Sequence, residues 1–286
     1  MPEFETSGGR YVSLDGRGSA YVREFDGPAG APTLMLLHGL SATGKLNWGP
    51  SVGALREHFN VVSIDQRGHG RGVRGKFTLD DCADDAVAIA DALGLDTFIP
   101  VGYSMGGPIS QLIWHRYPER VDGLVMCATA RNFGRRPGGS ILIAGFPVVA
   151  SLTRMTPGVA RRFVMMRVLE RVAEPEARDM VREEMGNSDP AALLEAAGEL
   201  AKFSSAAWIT GVDVPAAVVV TAKDSVVPPV RQYKLAGAIP TATTFEVNGD
   251  HAVCIAAPGR FVPVLVEACR DVAARIDDGE RAAASD

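Results

Sequence analysis

The chain has no excess of basic residues, no C-x-x-C pair and no unbroken apolar run long enough to cross a bilayer. Each absence removes a class of function. The formal charge is −5 over 286 residues, so no nucleic-acid partner is expected. Cys82, Cys127, Cys254 and Cys269 are too scattered for a zinc site or a disulfide frame. They read as thiols of a reducing, cytoplasmic compartment. The longest uncharged apolar stretch, Gly138 to Thr153, is short and interrupted by Gly, Ser and Pro. The opening residues, Met-Pro-Glu-Phe-Glu-Thr, lack the apolar core of a secretory signal. No internal repeat is visible. Histidine is also scarce, with five in all.

What is present is an alternation of short apolar strands and helical patterns. A hairpin is expected around Asp15-Gly16, from Tyr11–Leu14 and Ala20–Phe25. Further strands are expected at Thr33–Leu37, Val61–Ile64, Thr97–Val101, Gly123–Cys127, Ala216–Val220 and Thr243–Val247. Helices are expected near Trp48–His58, Leu79–Leu93, Gly107–Tyr117, Val230–Ala238 and Arg260–Ile276, with a frayed tail from Asp277. This rhythm implies an α/β protein with a mostly parallel sheet and helices on both faces. It breaks between Arg131 and Ser205, where no buried-type strand occurs. The division expected is a core of residues 1–130 and 206–286 with a helical lid, 131–205, inserted in it.

The lid segment has an uneven charge layout. Eight arginines and one acid lie between Arg131 and Arg171; eight acids and two arginines lie between Val172 and Glu199. Two neighbouring helices pairing their charges is the simpler reading. A basic rim facing an anionic substrate or a membrane surface is the functional one. Ile141, Leu142, Ile143, Phe146, Val148, Val149, Phe163, Met165 and Met166 either pack this lid on the core or line an apolar tunnel.

The most informative stretch is Gly102-Tyr103-Ser104-Met105-Gly106, set between a strand and a helix pattern. Gly-x-Ser-x-Gly on such a turn is a nucleophile elbow: the serine sits on strained backbone, and side chains two residues either side would collide with strand and helix. A serine hydroxyl needs a base, and the base needs a partner that fixes its tautomer. In an open α/β sheet these groups come from the carboxyl ends of strands. His251 follows the strand Thr243–Val247 by a short loop and is the expected base. His58 reads as surface on a helix, His115 as structural, and His38 and His69 as shaping Gly-rich loops. Asp224, just after Ala216–Val220, is the expected acid; Asp250 is its rival but adjoins the histidine. The position after the strand following the elbow helix carries Thr129 and no carboxylate. The oxyanion donors expected are the N–H groups of Met105 and Leu40, with Ser41 as the fallback for Leu40.

Five stretches in order carry a family resemblance: Leu36-Leu37-His38-Gly39-Leu40, Ile64-Asp65-Gln66-Arg67-Gly68-His69-Gly70, Val101 to Gly107, Thr221 to Pro228, and Gly249-Asp250-His251. On these the chain resembles the α/β-hydrolase fold family in its serine-nucleophile branch, which includes carboxylesterases and enol-lactone hydrolases. The resemblance implies an eight-stranded sheet, a lid after the sixth strand, and catalytic roles for Ser104, Asp224 and His251. Two departures are Arg71-Gly72-Val73-Arg74-Gly75, expected to make a loop more flexible or more basic than usual, and Asp250 in place of a glycine. The expected activity is hydrolysis of a small-molecule carboxylic ester or lactone through an acyl-enzyme, with no metal or cofactor. A C–C bond hydrolase of a ring-cleavage dienoate and a ligand-binding protein on a hydrolase scaffold are the rivals.

Overall fold

The computed structural model describes residues 8–134 and 187–283. Eight strands form one sheet in the order β1-β2-β4-β3-β5-β6-β7-β8. They are β1 (Arg10–Leu14), β2 (Gly18–Phe25), β3 (Thr33–Leu37), β4 (Asn60–Ile64), β5 (Ile99–Tyr103), β6 (Leu124–Cys127), β7 (Ala216–Thr221) and β8 (Ala242–Val247). β2 pairs antiparallel with both β1 and β4, and every other pairing is parallel. Burial follows from this. β5, β6 and β7 are buried at every residue, whereas the edge strands β1 and β8 alternate with exposed positions.

Strand β3 shows how the core divides. Leu34 and Leu36 face one hydrophobic cluster; Met35 and Leu37 face the other, as the two-residue pleat requires. The first cluster is completed by α1 (Gly44–Leu55) and by the long C-terminal helix, through Trp48, Val52, Phe261 and Leu265. The second holds α2 (Leu79–Ala92) and α3 (Gly106–Arg116), through Ala86, Ile89, Ile109 and Ile113. The connections leaving β3 and β5, which are neighbours, therefore go to opposite faces. That divergence opens a crevice at their carboxyl ends.

After β6 the chain is described to Gly134 and again from Asn187. There α4 (Pro190–Lys202) starts on an Asp189 cap, whose carboxylate accepts from the Ala191 N–H at 3.0 Å. Ala192, Ala196 and Leu200 of α4 join the cluster of α2 and α3. Residues 131–132 and 204–205 meet: the Ser205 N–H donates to the Arg131 carbonyl at 2.8 Å, and Asn132 bridges Ser204. The apolar residues from Ile141 to Met166 and most of the charge-segregated stretch lie outside the described residues.

Beyond β7 the helices are α5 (Pro229–Ala236), the single-turn α6 (Val253–Ala256) and α7 (Pro258–Ala283). Most boundaries differ from expectation by one or two residues, and four shifts bear on the site or on the ends of helices. α1 starts earlier because the Thr43 hydroxyl caps it, accepting from the Leu46 N–H. His58 consequently lies in the turn after α1 rather than on a helix. β5 runs two residues further, to Tyr103, because Tyr103 pairs with Cys127 on β6. α7 continues to Ala283 instead of fraying at Asp277, as its run of alanines and charged helix formers permits.

Candidate active site

The elbow is a steric consequence of β3, β5 and α3 meeting. Ser104 has φ of 51°, in the left-handed region. A Cβ at Gly102 would overlap the Gly106 carbonyl and Ser110 Oγ; one at Gly106 would overlap the carbonyl of Leu37 on β3. Only glycine fits either place. The Thr129 hydroxyl donates to the Ser104 carbonyl at 2.8 Å, so the residue that replaces a carboxylate after β6 holds the elbow instead.

Three side chains from three strand ends converge here. His251 Nε2 lies 3.0 Å from Ser104 Oγ, and His251 Nδ1 lies 2.7 Å from Asp224 Oδ2. A carboxylate accepts, so Nδ1 carries the proton and Nε2 is free to accept from the serine. Asp224 Oδ1 accepts from the N–H groups of Val226 and Val227 at 2.8 Å each, and Oδ2 from the Thr221 hydroxyl at 2.7 Å. Burial opposes ionisation of Asp224. The His251 contact, the Thr221 hydroxyl and the Val227 N–H outweigh it and hold the carboxyl below the usual carboxylate range. Asp250 is turned away and accepts from the Ala252 N–H at 2.9 Å.

The turn after β3 lies against the serine: a Cβ at Gly39 would come within 3.4 Å of Ser104 Cβ. Among the described residues, the N–H groups of Leu40 and Met105 donate no hydrogen bond, and α3 begins without a side-chain cap. Donors left free at a helix start suit a developing oxyanion. The turn itself is fixed from three sides. Asn47 Oδ1 accepts from the Gly39 N–H at 3.0 Å, and Gln66 Nε2 donates to the His38 carbonyl at 2.5 Å. His38 Nε2 accepts from the Gln66 N–H at 2.9 Å, so its proton sits on Nδ1, which donates to the Gly39 carbonyl at 2.8 Å. The Gly39 carbonyl and the Leu40 N–H share one peptide plane, so this bond sets the direction of the Leu40 donor.

Sequence reasoning missed Asn47 and Gln232. Gln232 is fully buried on α5. Its Nε2 donates to the Val227 carbonyl at 2.7 Å and Thr221 Oγ1 at 2.8 Å, and lies 3.3 Å from Asp224 Oδ2. No motif marks either residue. A polar side chain at a core position of an amphipathic helix is the signal available. Tyr103 was read only as the variable residue of the elbow, yet its hydroxyl donates to the His251 carbonyl at 2.8 Å.

The other candidates stand apart. His38 and His69 are fully buried, and burial lowers them to about 4 and about 3, so both are neutral. His115 is exposed and stacks on Trp208 at 4.1 Å. The loop at Arg71–Gly75 is tied down rather than loose. Arg71 donates to the Tyr21 hydroxyl at 2.9 Å, and Arg74 to the carbonyls of Gly70 and Asn187. All four cysteines are buried, and burial pushes their thiols up, Cys254 to about 12, so none is a reactive thiolate. Among the described residues no cluster of His, Cys, Asp or Glu is set to hold a metal, and no helix is long and apolar enough to cross a membrane.

A family model described as the alpha/beta hydrolase fold matches residues 32–142, spanning β3 to just beyond β6. The chain has the α/β-hydrolase fold, and its relatives support its being a hydrolase. It is 29% identical over 248 residues to a protein of Agrobacterium fabrum named, provisionally, as a carbamate hydrolase, RutD; the match covers 84% of this chain and 93% of that one. It is also 29% identical to the pimeloyl-[acyl-carrier protein] methyl ester esterase of Chromobacterium violaceum, covering 82% and 93%. Among solved structures, the enol-lactonase of Burkholderia xenovorans superposes with a TM-score of 0.73 at 23% identity, over 91% of this chain and all of that one. Likeness at that identity speaks to the fold alone.

Proposed function

We propose that the protein is a serine hydrolase that cleaves a carboxylic ester or lactone through an acyl-enzyme. The observation that carries this reading is the continuous chain Ser104 Oγ, His251, Asp224, at 3.0 and 2.7 Å, on an elbow whose serine has positive φ. Ser104 attacks the carbonyl carbon while His251 Nε2 takes its proton. The N–H groups of Leu40 and Met105 receive the oxyanion. Protonated His251 then gives its proton to the leaving alcohol, and Asp224, kept ionised, stabilises that cation. Water, deprotonated by His251, releases the acid and restores Ser104.

The relatives support acyl chemistry and broaden the choice of bond. A methyl ester esterase and a provisional carbamate hydrolase match at equal identity, so a carbamate is the second reading. Both bonds present a carbonyl to the same serine. The same reading makes residues 131–205 an insertion over the site, supported by the meeting of Arg131 with Ser205. It also puts the protein in a reducing, cytoplasmic setting, in keeping with four unpaired cysteines.

Turnover of matched aryl ester, lactone, carbamate and ring-cleavage dienoate substrates tests the assignment. The ester or lactone is expected to give the highest kcat/KM, with the activity lost in Ser104→Ala. A clear preference for the carbamate or the dienoate would sink the ester assignment while keeping the nucleophile.

A further inference from the structure

Among the described residues, Arg17, Arg23, Arg67, Arg116 and Arg120 make ion pairs with carboxylates at 3.2 Å or closer. One group of cations that shares a cavity has no such partner. A cavity of about 180 Å³ is lined by Arg131, Asn132, Arg231 and Lys234. Three of these are cations, and among the described residues no acid lines it. Among the described residues, the side chains of Arg131 and Lys234 make no hydrogen bond or ion pair. Arg231 donates through Nη1 and Nη2 to the carbonyls of Asn132 and Gly134, both at 3.3 Å. Carbonyl contacts orient a guanidinium without neutralising it, and they leave other N–H donors unused. Three like charges facing one cavity repel one another, and an anion relieves that repulsion.

The residues that line the cavity also adjoin the candidate site along the chain. On one wall, Arg131 is two residues beyond Thr129, whose hydroxyl bonds the Ser104 carbonyl. Its Cα therefore lies within about 7 Å of the Thr129 Cα. The Arg131 backbone is pinned by the Ser205 N–H at 2.8 Å. On the other wall, Arg231 adjoins Gln232, which touches Asp224. The walls thus come from the segment after β6 and from α5, which adjoin residues in contact with Ser104 and Asp224. A volume near 180 Å³ accommodates a carboxylate with a few methylenes.

We propose that this cavity is a carboxylate-binding subsite, and that the substrate opened at Ser104 carries a second, ionised acid group. The link to catalysis rests on the serine-hydrolase reading above; the preference of the cavity for an anion does not. Guanidinium groups offer the planar pair of donors that a carboxylate accepts, and Lys234 adds a mobile point charge at the exposed side.

Two measurements keep these parts separate. In a Ser104→Ala background, calorimetry follows the binding of succinate, glutarate and adipate at low salt. At least one is expected to bind. Arg131→Gln and Lys234→Gln should each weaken it by about fivefold or more, and 0.5 M sodium chloride should weaken it too. In the active protein, kcat/KM is compared for the monomethyl and dimethyl esters of the same acids. The half-ester is expected to be preferred, and that ratio should fall about tenfold in either variant, with Arg131→Lys restoring part of it. Thermal melts check that the variants remain folded. No dicarboxylate binding, or binding and ester ratio both unchanged in the variants, overturns the proposal. So does inorganic phosphate binding more tightly than any dicarboxylate through these residues. Dicarboxylate binding that the variants lose, without turnover of any ester, would support the anion site and count against the hydrolase reading.

Discussion

Ser104 holds a Cβ on backbone with φ of 51°, a conformation that costs an L-residue about 1–2 kcal/mol. Nothing in packing asks for that strain, since a glycine would meet it freely; the reason for a side chain there is its Oγ, 3.0 Å from His251. Ser104→Gly is therefore expected to abolish turnover and raise stability by about 1 kcal/mol, read as a higher urea midpoint. A second residue-scale effect comes from His38 and His69, which burial lowers to about 4 and about 3. Their unfolded values are about 6.5, so between pH 6.5 and 4 the unfolded chain binds more protons. Stability is thus complete above neutral pH and falls on acidification, by up to about 1.4 kcal/mol per pH unit for each histidine. Asp224 acts at lower pH. Its folded value is depressed, so its contribution is intact above about pH 4 and is lost only as pH falls through that lowered value. Urea unfolding at pH 7, 6 and 5 should give this slope, and it should flatten when His38 is replaced by Gln.

At the scale of elements, the elbow is where β5 turns into α3 against the end of β3. A methyl at Gly106 would press on the Leu37 carbonyl, which belongs to the strand that ends in the oxyanion turn. Gly106→Ala is expected to cost about 1–3 kcal/mol and to lower activity even where folding survives, because it displaces β3 relative to Ser104. Equilibrium unfolding with assay of the same preparation checks both effects. The elements that build this junction were legible as apolar runs and a glycine pattern: β3 and β7 read nearly directly from Thr33–Leu37 and Ala216–Val220, and β5 from Thr97–Val101 with a shift of two residues, because strands buried along almost their whole length have few polar positions to blur them. The helices' polar interior positions were not legible. Asn47 and Gln232 each act on a residue eight positions away, across a strand end, and no local periodicity records such a partnership. The beginning of α1 was missed for a similar reason: a single hydroxyl, Thr43, sets it.

Across the whole molecule, two apolar clusters on opposite faces of one sheet hold three loops at its carboxyl end. The order of Ser104, Asp224 and His251 along the chain was readable because each follows a strand. Their convergence was not, since it depends on β5, β7 and β8 lying close together in the sheet, with β6 alone between β5 and β7. The central claim is that these three groups form a working nucleophile, and stoichiometric labelling tests it most directly. Intact-mass spectrometry after treatment with a fluorophosphonate should show one adduct per chain, mapped to Ser104 and absent from Ser104→Ala. The labelling rate should fall at least a hundredfold in His251→Ala. An unlabelled wild-type protein, an adduct on another residue, or an equal rate in His251→Ala would contradict the account.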